Sequence, residues 1–315
     1  MELEEKVKDW LLKEGYPLEF KTGALFEKHG FLAKHGIYAR ATDDAPPREI
    51  DVLASITHDI GDKDFLRIEY IVECKWTRDK PWIVFSSERG IHPAAAIAQT
   101  MGSSLGEACL WFAAGDAEMQ NLDLFKTLPR GGFSGVRAFG AGEDLFYNTL
   151  RGVAERAWCR VAYYDSPPSP PNVRPEMAVV VRPVIVIEGD LLEAYYDNST
   201  HKLELERVPK ARIHWRGAEK WSFHCLVDVV TVEGLEEYAQ TQAKQVETMF
   251  AVLERARANI EKCFNDKSLD ALEPTRGPRG VLNLPPLLAL FQNHLEGSSR
   301  KRPKRTPKSK QSRRK

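Results

Sequence analysis

The stretch that decides the fold is a pair of apolar segments, EIDVLASI at residues 49–56 and FLRIEYIVECK at residues 65–75. Both are rich in β-branched and aromatic residues, and a short polar stretch separates them, so the sequence predicts two neighbouring strands. Asp51 lies within the first strand, and Glu73-Cys74-Lys75 closes the second. Charged side chains in such apolar strands are unfavourable unless a partner or ligand uses them.

The charged residues of the two strands are expected to face each other. Side chains alternate along a strand, so Glu73 and Lys75 point to one side and Cys74 to the other. Neighbouring strands lie about 4.8 Å apart, close enough for the carboxylates of Asp51 and Glu73 to repel each other. A hard divalent cation would remove that repulsion. We expect this cation to be Mg²⁺, with Mn²⁺ as the alternative. The Cys74 carbonyl would be its third protein ligand, beside Asp51 and Glu73.

The chemistry that this arrangement favours is hydrolysis of a phosphodiester bond by metal-activated water. A lysine two residues beyond a ligand, here Lys75, would orient or deprotonate that water. Glu-x-Lys alone is uninformative, because the chain also contains it at residues 4–6 and 19–21. An inert, solvated salt-bridge cluster of Lys75 with Glu73 and Asp51 is the alternative interpretation.

These residues resemble the PD-(D/E)XK nuclease superfamily, which has the restriction-endonuclease-like fold. The matching elements lie within residues 17–76 and are a helix bearing Glu19, the strand at 48–52 and the strand end at 73–75. The resemblance implies an α/β protein with a mixed β-sheet flanked by helices. The roles it implies are metal binding by Asp51 and Glu73, assistance to the attacking water by Lys75, and metal binding or orientation of the site by Glu19.

Three positions leave room for other interpretations. Ile50 stands where the family name has proline, a departure shared by many members of the family. Glu49 shares a strand face with Asp51, although its place beside Arg48 at the start of the strand suggests a solvated charge. Glu19 would be favoured in the first turn of a helix by the helix dipole, without any function.

Aromatic and basic residues alternate just beyond Lys75. The rings would stack on unpaired bases, and the cations would hold phosphates. The alternative is a pair of core rings, Trp82 and Phe85, around a solvated turn. The residues concerned are Trp76, Arg78, Lys80, Trp82 and Phe85.

The formal net charge of zero hides a basic C-terminus. Residues 300–315 contain ten basic residues and no acidic one, so the other 299 residues have a net charge of −10. This segment lacks large apolar residues, and we expect a disordered tail. Such a tail suits phosphate binding by counterion release, with Arg302, Lys304 and Arg305 among the contacts. A solubilising or targeting extension is the alternative.

The composition predicts a soluble, cytoplasmic protein. Of the 315 residues, 43% are hydrophobic and 29% are charged, which is typical of a globular chain. No apolar run reaches the ~18 residues of a membrane span, and the acidic start is unlike a secretory signal. Five cysteines without a Cys-x-x-Cys pair argue against a disulfide framework and a structural zinc site.

The predicted organisation is an α/β domain over 1–265, a connector with a short helix over 266–299 and the basic tail over 300–315. Helices are predicted at 3–13, 17–29, 94–107, 143–162 and 233–263. Further strands are predicted at 31–40, 109–114, 178–187, 191–196, 203–213 and 224–230. Pro183 favours an edge or bulge for the strand at 178–187, which is expected to pair with 191–196. The glycines of 129–142 indicate a mobile loop, and 167–175 a proline-rich connector.

The function that these expectations favour is a magnesium-dependent DNA endonuclease. RNA is the alternative substrate, and the oligomeric state stays open, with a homodimer among the options. A different class of function also fits the sequence. A non-catalytic nucleic-acid-binding protein would keep the nuclease fold without a working site, and the acidic body gives this alternative some support.

Overall fold

The computed structural model describes residues 2–40, 46–61, 65–77, 80–140, 144–165, 177–216 and 224–266. Several sequence predictions lie outside these residues. They are the short helix of the connector, the proline-rich connector, the basic tail with Arg302, Lys304 and Arg305, and Arg78.

The described residues form seven helices and thirteen strands. The helices are α1 Leu3–Glu14, α2 Tyr16–Lys28, α3 Pro93–Ala98, α4 Ser104–Ala113, α5 Ala117–Gln120, α6 Leu145–Asp165 and α7 Leu235–Asp266. The strands are β1 Leu32–Lys34, β2 Ile37–Ala39, β3 Arg48–Ile50, β4 Val52–Asp59, β5 Phe65–Trp76, β6 Trp82–Ser87, β7 Met101–Gly102, β8 Gly131–Arg137, β9 Met177–Glu188, β10 Leu191–Asp197, β11 Lys202–Arg207, β12 Lys210–Arg216 and β13 His224–Thr231.

Eleven of the described strands form one mixed sheet. Its order is β1-β4-β5-β9-β13-β12-β8-β6-β10-β11, with β7 paired to β9, and β2 and β3 form a separate two-stranded sheet. β4 and β5 are antiparallel, whereas β5 and β9 are parallel. A parallel neighbour requires a long crossover, and residues between β5 and β9 supply it.

Helices cover both faces of the sheet, so the predicted mixed sheet flanked by helices is confirmed. On one face α2, α4 and α7 pack over a core that includes Phe26, Leu110 and Tyr70. On the other face α6 packs over a core that includes Val153 and Ile71. None of the described helices is long and apolar enough to cross a membrane.

The first two predicted strands are each split in the structure. Gly36, at a φ of +64°, divides 31–40 into β1 and β2, and a bend at Asp51 divides 49–56 into β3 and β4. β1 and β4 join the large sheet, whereas β2 and β3 pair with each other. Asp51 therefore lies at a break between strands and not inside one.

Two predictions between 94 and 114 are wrong. The predicted helix over 94–107 is interrupted by β7, and the predicted strand over 109–114 belongs to α4. Ser103 caps the N-terminus of α4, its side chain accepting a hydrogen bond from the Gly106 amide at 3.2 Å. A short apolar run buried on several sides has no periodicity that separates helix from strand.

The glycine-rich stretch 129–142 contains a strand and is not simply a loop. β8 pairs antiparallel with β6 and parallel with β12. A Cβ on Gly135 would lie 2.5 Å from the Ile83 carbonyl oxygen, and one on Gly132 would lie 2.6 Å from that of Arg212. These glycines allow close approach of neighbouring backbone.

The strand containing Pro183 is central, which contradicts the predicted edge position. On one side of β9 lies β5, and on the other β7 pairs with 180–181 and β13 with 184–187. Pro183 lies at the point where the neighbouring strand on that side changes from β7 to β13. The hydrogen-bond ladder on that side is interrupted there, so the missing amide hydrogen of proline breaks no regular pairing. Both sides of β9 are occupied, and β10 pairs with β6 and β11 instead. The predicted strand 203–213 is likewise two strands, β11 and β12.

Candidate active site

The site begins at the junction of β3 and β4, where Asp51 faces the end of β5. The pair Val52–Val72 is the last of the antiparallel ladder, so Asp51 and Glu73 occupy the next opposing positions. The Cys74 backbone amide donates a hydrogen bond to Asp51 Oδ2 at 2.7 Å. The bend at Asp51 thus places its carboxylate beside the backbone of the Glu-x-Lys segment.

Glu73 and Lys75 lie on the same side of β5, as strand alternation requires. Lys75 Nζ donates to Glu73 Oε1 at 2.5 Å and to the Cys74 carbonyl oxygen at 3.2 Å. The other carboxylate oxygen, Glu73 Oε2, accepts a hydrogen bond from Arg156 on α6. Glu73 is only 8% exposed, and two cations balance its charge.

Glu19 reaches the site from the first turn of α2. Burial raises the pKa of its carboxyl to about 7, the carboxylates of Asp51 and Glu49 add to the rise, and Lys75 opposes it. Glu19 is therefore within electrostatic reach of both Asp51 and Lys75. The exposed Glu49 makes a hydrogen bond with Tyr38, whose hydroxyl donates to Glu49 Oε2 at 3.4 Å.

Cys74 contributes its backbone and not its thiol. The side chain points away from Glu73 into the core under α2, where Sγ lies 3.6 Å from Thr22 Oγ1. Burial and the nearby Asp51 carboxylate raise the pKa of the Cys74 thiol, which disfavours the reactive thiolate. The Cys74 carbonyl is on the Lys75 side of the site.

The residues at this junction offer oxygen atoms, which are the type of ligand that a hard divalent cation takes. Asp51, Glu73 and the Cys74 carbonyl offer oxygen ligands, which Mg²⁺ and Mn²⁺ prefer. Glu19 lies near enough to Asp51 for the two carboxylates to repel each other, an effect that adds to burial in raising the pKa of Glu19. Each carboxylate oxygen of Glu73 keeps a second lone pair beyond its bond to Lys75 or Arg156. No group of three or more His, Cys, Asp or Glu side chains in the described residues is already arranged as a metal site.

The aromatic residues after Lys75 differ in their surroundings. Trp82 is fully buried, with its ring centroid 4.8 Å from that of Phe146, so it is a core residue. Phe85 and Trp76 are partly exposed. Lys80 lies in the turn after β5, where its backbone amide donates to the Thr77 carbonyl.

Sequence reasoning did not find Arg156, the residue that fixes Glu73. Arg156 and Arg160 lie four residues apart on α6, and they contact Glu73 and Glu69, four residues apart on β5. Arginines on the otherwise apolar face of a helix indicate buried acidic partners, and this was the available signal. Nothing in the sequence tells which strand that face covers.

Comparison of the chain with protein-family models, with curated proteins and with solved structures finds no match.

Proposed function

We propose that the protein is a metal-dependent nuclease that hydrolyses DNA phosphodiester bonds, with a PD-(D/E)XK type of site on a restriction-endonuclease-like fold. The observation that carries the proposal is the 2.7 Å hydrogen bond from the Cys74 amide to Asp51 Oδ2. It ties the aspartate at the junction of β3 and β4 to the Glu-x-Lys end of β5. Chain order also agrees with the resemblance, because α2 precedes the consecutive strands β4 and β5 along the chain.

The roles of the residues follow from their contacts. Asp51, Glu73 and the Cys74 carbonyl would hold the Mg²⁺ or Mn²⁺ ion, which supplies an activated water and a counter-charge for the phosphate. Arg156 anchors Glu73 from α6, so that the carboxylate keeps its orientation. Lys75 Nζ has donors to orient a water beside Glu73. Glu19 adds a further carboxylate next to Asp51.

A second candidate function is nucleic-acid binding without catalysis. Both carboxylate oxygens of Glu73 already accept hydrogen bonds from cations, an arrangement that also suits an inert ion-pair cluster. Under this alternative the fold is kept and nucleic acid is bound without any need for a divalent ion.

Plasmid cleavage with Mg²⁺ or with EDTA tests the proposal. The wild type is expected to nick or cut the plasmid only with Mg²⁺, and Lys75→Ala and Asp51→Asn are expected to abolish cleavage. Matched controls are Lys202→Ala and Asp190→Asn, at exposed positions remote in sequence from the motif, and circular dichroism checks that all variants fold. Cleavage that survives in both site variants would overturn the proposal. Plasmid binding without cleavage in every metal would favour the second candidate.

A further inference from the structure

A second feature lies on the same face of the sheet as Glu73. It is a groove between α6 and the strands β1, β4 and β5, with a cavity volume of about 430 Å³. Its polar and aromatic lining consists of Lys34, Phe65, Arg67, Arg160, Tyr163 and Tyr164. We call it the α6 groove. None of the expected site residues lies in it.

The α6 groove is positively charged, and its two arginines are held in place. Arg160 donates from Nε and Nη2 to the two carboxylate oxygens of Glu69, each at 3.0 Å. Arg67 donates to Thr57 Oγ1 at 2.9 Å and to the Tyr164 hydroxyl at 3.2 Å. Glu69 is the buried counter-charge of Arg160 and Arg67, and the exposed Lys34 is a third cation in the lining, so the groove has three cations and one neighbouring carboxylate.

Aromatic rings lie against these cations. The Arg67 guanidinium lies 5.0 Å from the Phe65 ring centroid, and that of Arg160 lies 4.9 Å from the Tyr163 centroid. The Tyr163 side chain is 52% exposed. Fixed cations beside an accessible ring are the combination that binds single-stranded nucleic acid, with phosphates on the cations and bases on the ring.

The α6 groove is aligned with the candidate active site. Glu69 and Glu73 are four residues apart on β5, which corresponds to about 13 Å along an extended strand. A few nucleotides of a single strand can bridge that separation. Arg156 and Arg160 mark the two positions on α6, so one helix borders both features.

We propose that the α6 groove binds an unpaired segment of the polynucleotide whose neighbouring phosphate reaches Glu73 and Lys75. This inference rests on the proposed nuclease function and adds the form of the substrate, which is a single strand or a locally opened duplex. Paired bases would not present a face to Tyr163, because stacking within a duplex covers both faces of each base.

Binding of a labelled oligothymidylate in EDTA, followed by fluorescence anisotropy over a salt series, tests the α6 groove in the full chain. Tyr163→Ala is expected to weaken binding by about tenfold, the effect of losing one stacked base. Lys34→Glu is expected to weaken binding and to lower the slope of log affinity against log salt by about 0.7. The controls are Tyr196→Ala, at a tyrosine that is 51% exposed, and Lys202→Glu, at another exposed lysine on a strand.

Five outcomes are decisive. Loss of binding in the α6 groove variants but not in the controls supports the inference, and a duplex that is bound less tightly than the single strand supports it further. Equal losses in variants and controls, or unchanged binding in all, overturn it. Competition by polyglutamate as effective as that by unlabelled oligonucleotide also overturns it, in favour of an acidic peptide ligand.

The two proposals fail separately. If plasmid cleavage requires Asp51 and Lys75 while the α6 groove variants bind oligothymidylate as the wild type does, the α6 groove is refuted and the nuclease stands. If the wild type never cleaves but the α6 groove variants lose binding, the catalytic proposal is refuted and the binding surface stands.

Discussion

Replacing Asp228 by asparagine should destabilise the protein by about 3–5 kcal/mol, the usual effect of removing one partner from a buried ion pair. Asp228 is fully buried on β13. Its carboxylate accepts hydrogen bonds from Arg212 Nε at 2.7 Å, from Arg182 Nη2 at 3.1 Å and from the Tyr238 hydroxyl at 3.0 Å. Asparagine has nearly the same shape but no charge, so two buried guanidinium groups would lose their counter-charge. Two charge-assisted hydrogen bonds at about 1.5–3 kcal/mol each give a loss of the same size.

Urea unfolding followed by circular dichroism measures the effect, with Asp190→Asn as the control. Asp190 pairs with Arg207 at an exposed position, and its loss should change the free energy of unfolding by less than about 1 kcal/mol. Burial alone would raise the pKa of Asp228, but Arg212 and Arg182 hold it well below its ordinary value of 3.8. Its stabilising effect is therefore present above about pH 4 and is lost as the pH falls further, so wild type and Asp228→Asn converge in acid. A free energy of unfolding for Asp228→Asn within about 1 kcal/mol of wild type at neutral pH would refute this reasoning.

Three further outcomes are expected. Burial, together with Asp165, raises the pKa of Glu107 to about 7 from its ordinary 4.5, so the folded state binds a proton that the unfolded chain has lost. The free energy of unfolding should therefore fall by at most about 3 kcal/mol as the pH rises from about 4.5 to 7. Glu107→Gln should weaken this dependence of the unfolding free energy on pH, as measured by urea unfolding at each pH. Gly106→Ala would place a Cβ 2.3 Å from the Val179 carbonyl oxygen and should lower the melting temperature, whereas Gly61→Ala meets open space and should leave it within a few degrees. All five cysteines are buried and none is in a disulfide, so iodoacetamide should label none in the native protein and all five in urea, as measured by mass spectrometry. Rapid native labelling would contradict the described packing.

The part of the fold that sequence predicts well is the part formed by neighbours along the chain. The helices α1 and α2, separated at Gly15 with its φ of +88°, and the antiparallel pair β4 and β5 follow from local patterns. This pair sets Asp51 beside the Glu-x-Lys segment, so the neighbourhood of the candidate site could be expected from the sequence. Its catalytic role stays a prediction.

The pairings that sequence does not predict join distant parts of the chain. The parallel neighbour of β5 is β9, and the parallel neighbour of β6 is β10, and neither pairing has a local signature. The same holds for Arg156, whose helix crosses the face of a strand that is far away in sequence. Glycine was read as a sign of a loop in β8, because a pattern of residue types does not show that backbone from another strand lies against it.

The parallel register of β5 and β9, in which Phe65 pairs with Met177, has a consequence for biosynthesis. The ribosome synthesises Asp51 and the Glu-x-Lys segment first and then α6 with Arg156. Only afterwards does it synthesise β9, which pairs with the edge of β5 that β4 leaves open. Pairing between strands that are so far apart in sequence forms slowly, so the nascent chain exposes the unpaired edge of β5 until β9 has been synthesised. A polypeptide stopped before Met177 would carry every candidate metal ligand and Arg156, but it would lack the strand that pairs with β5 along its whole length.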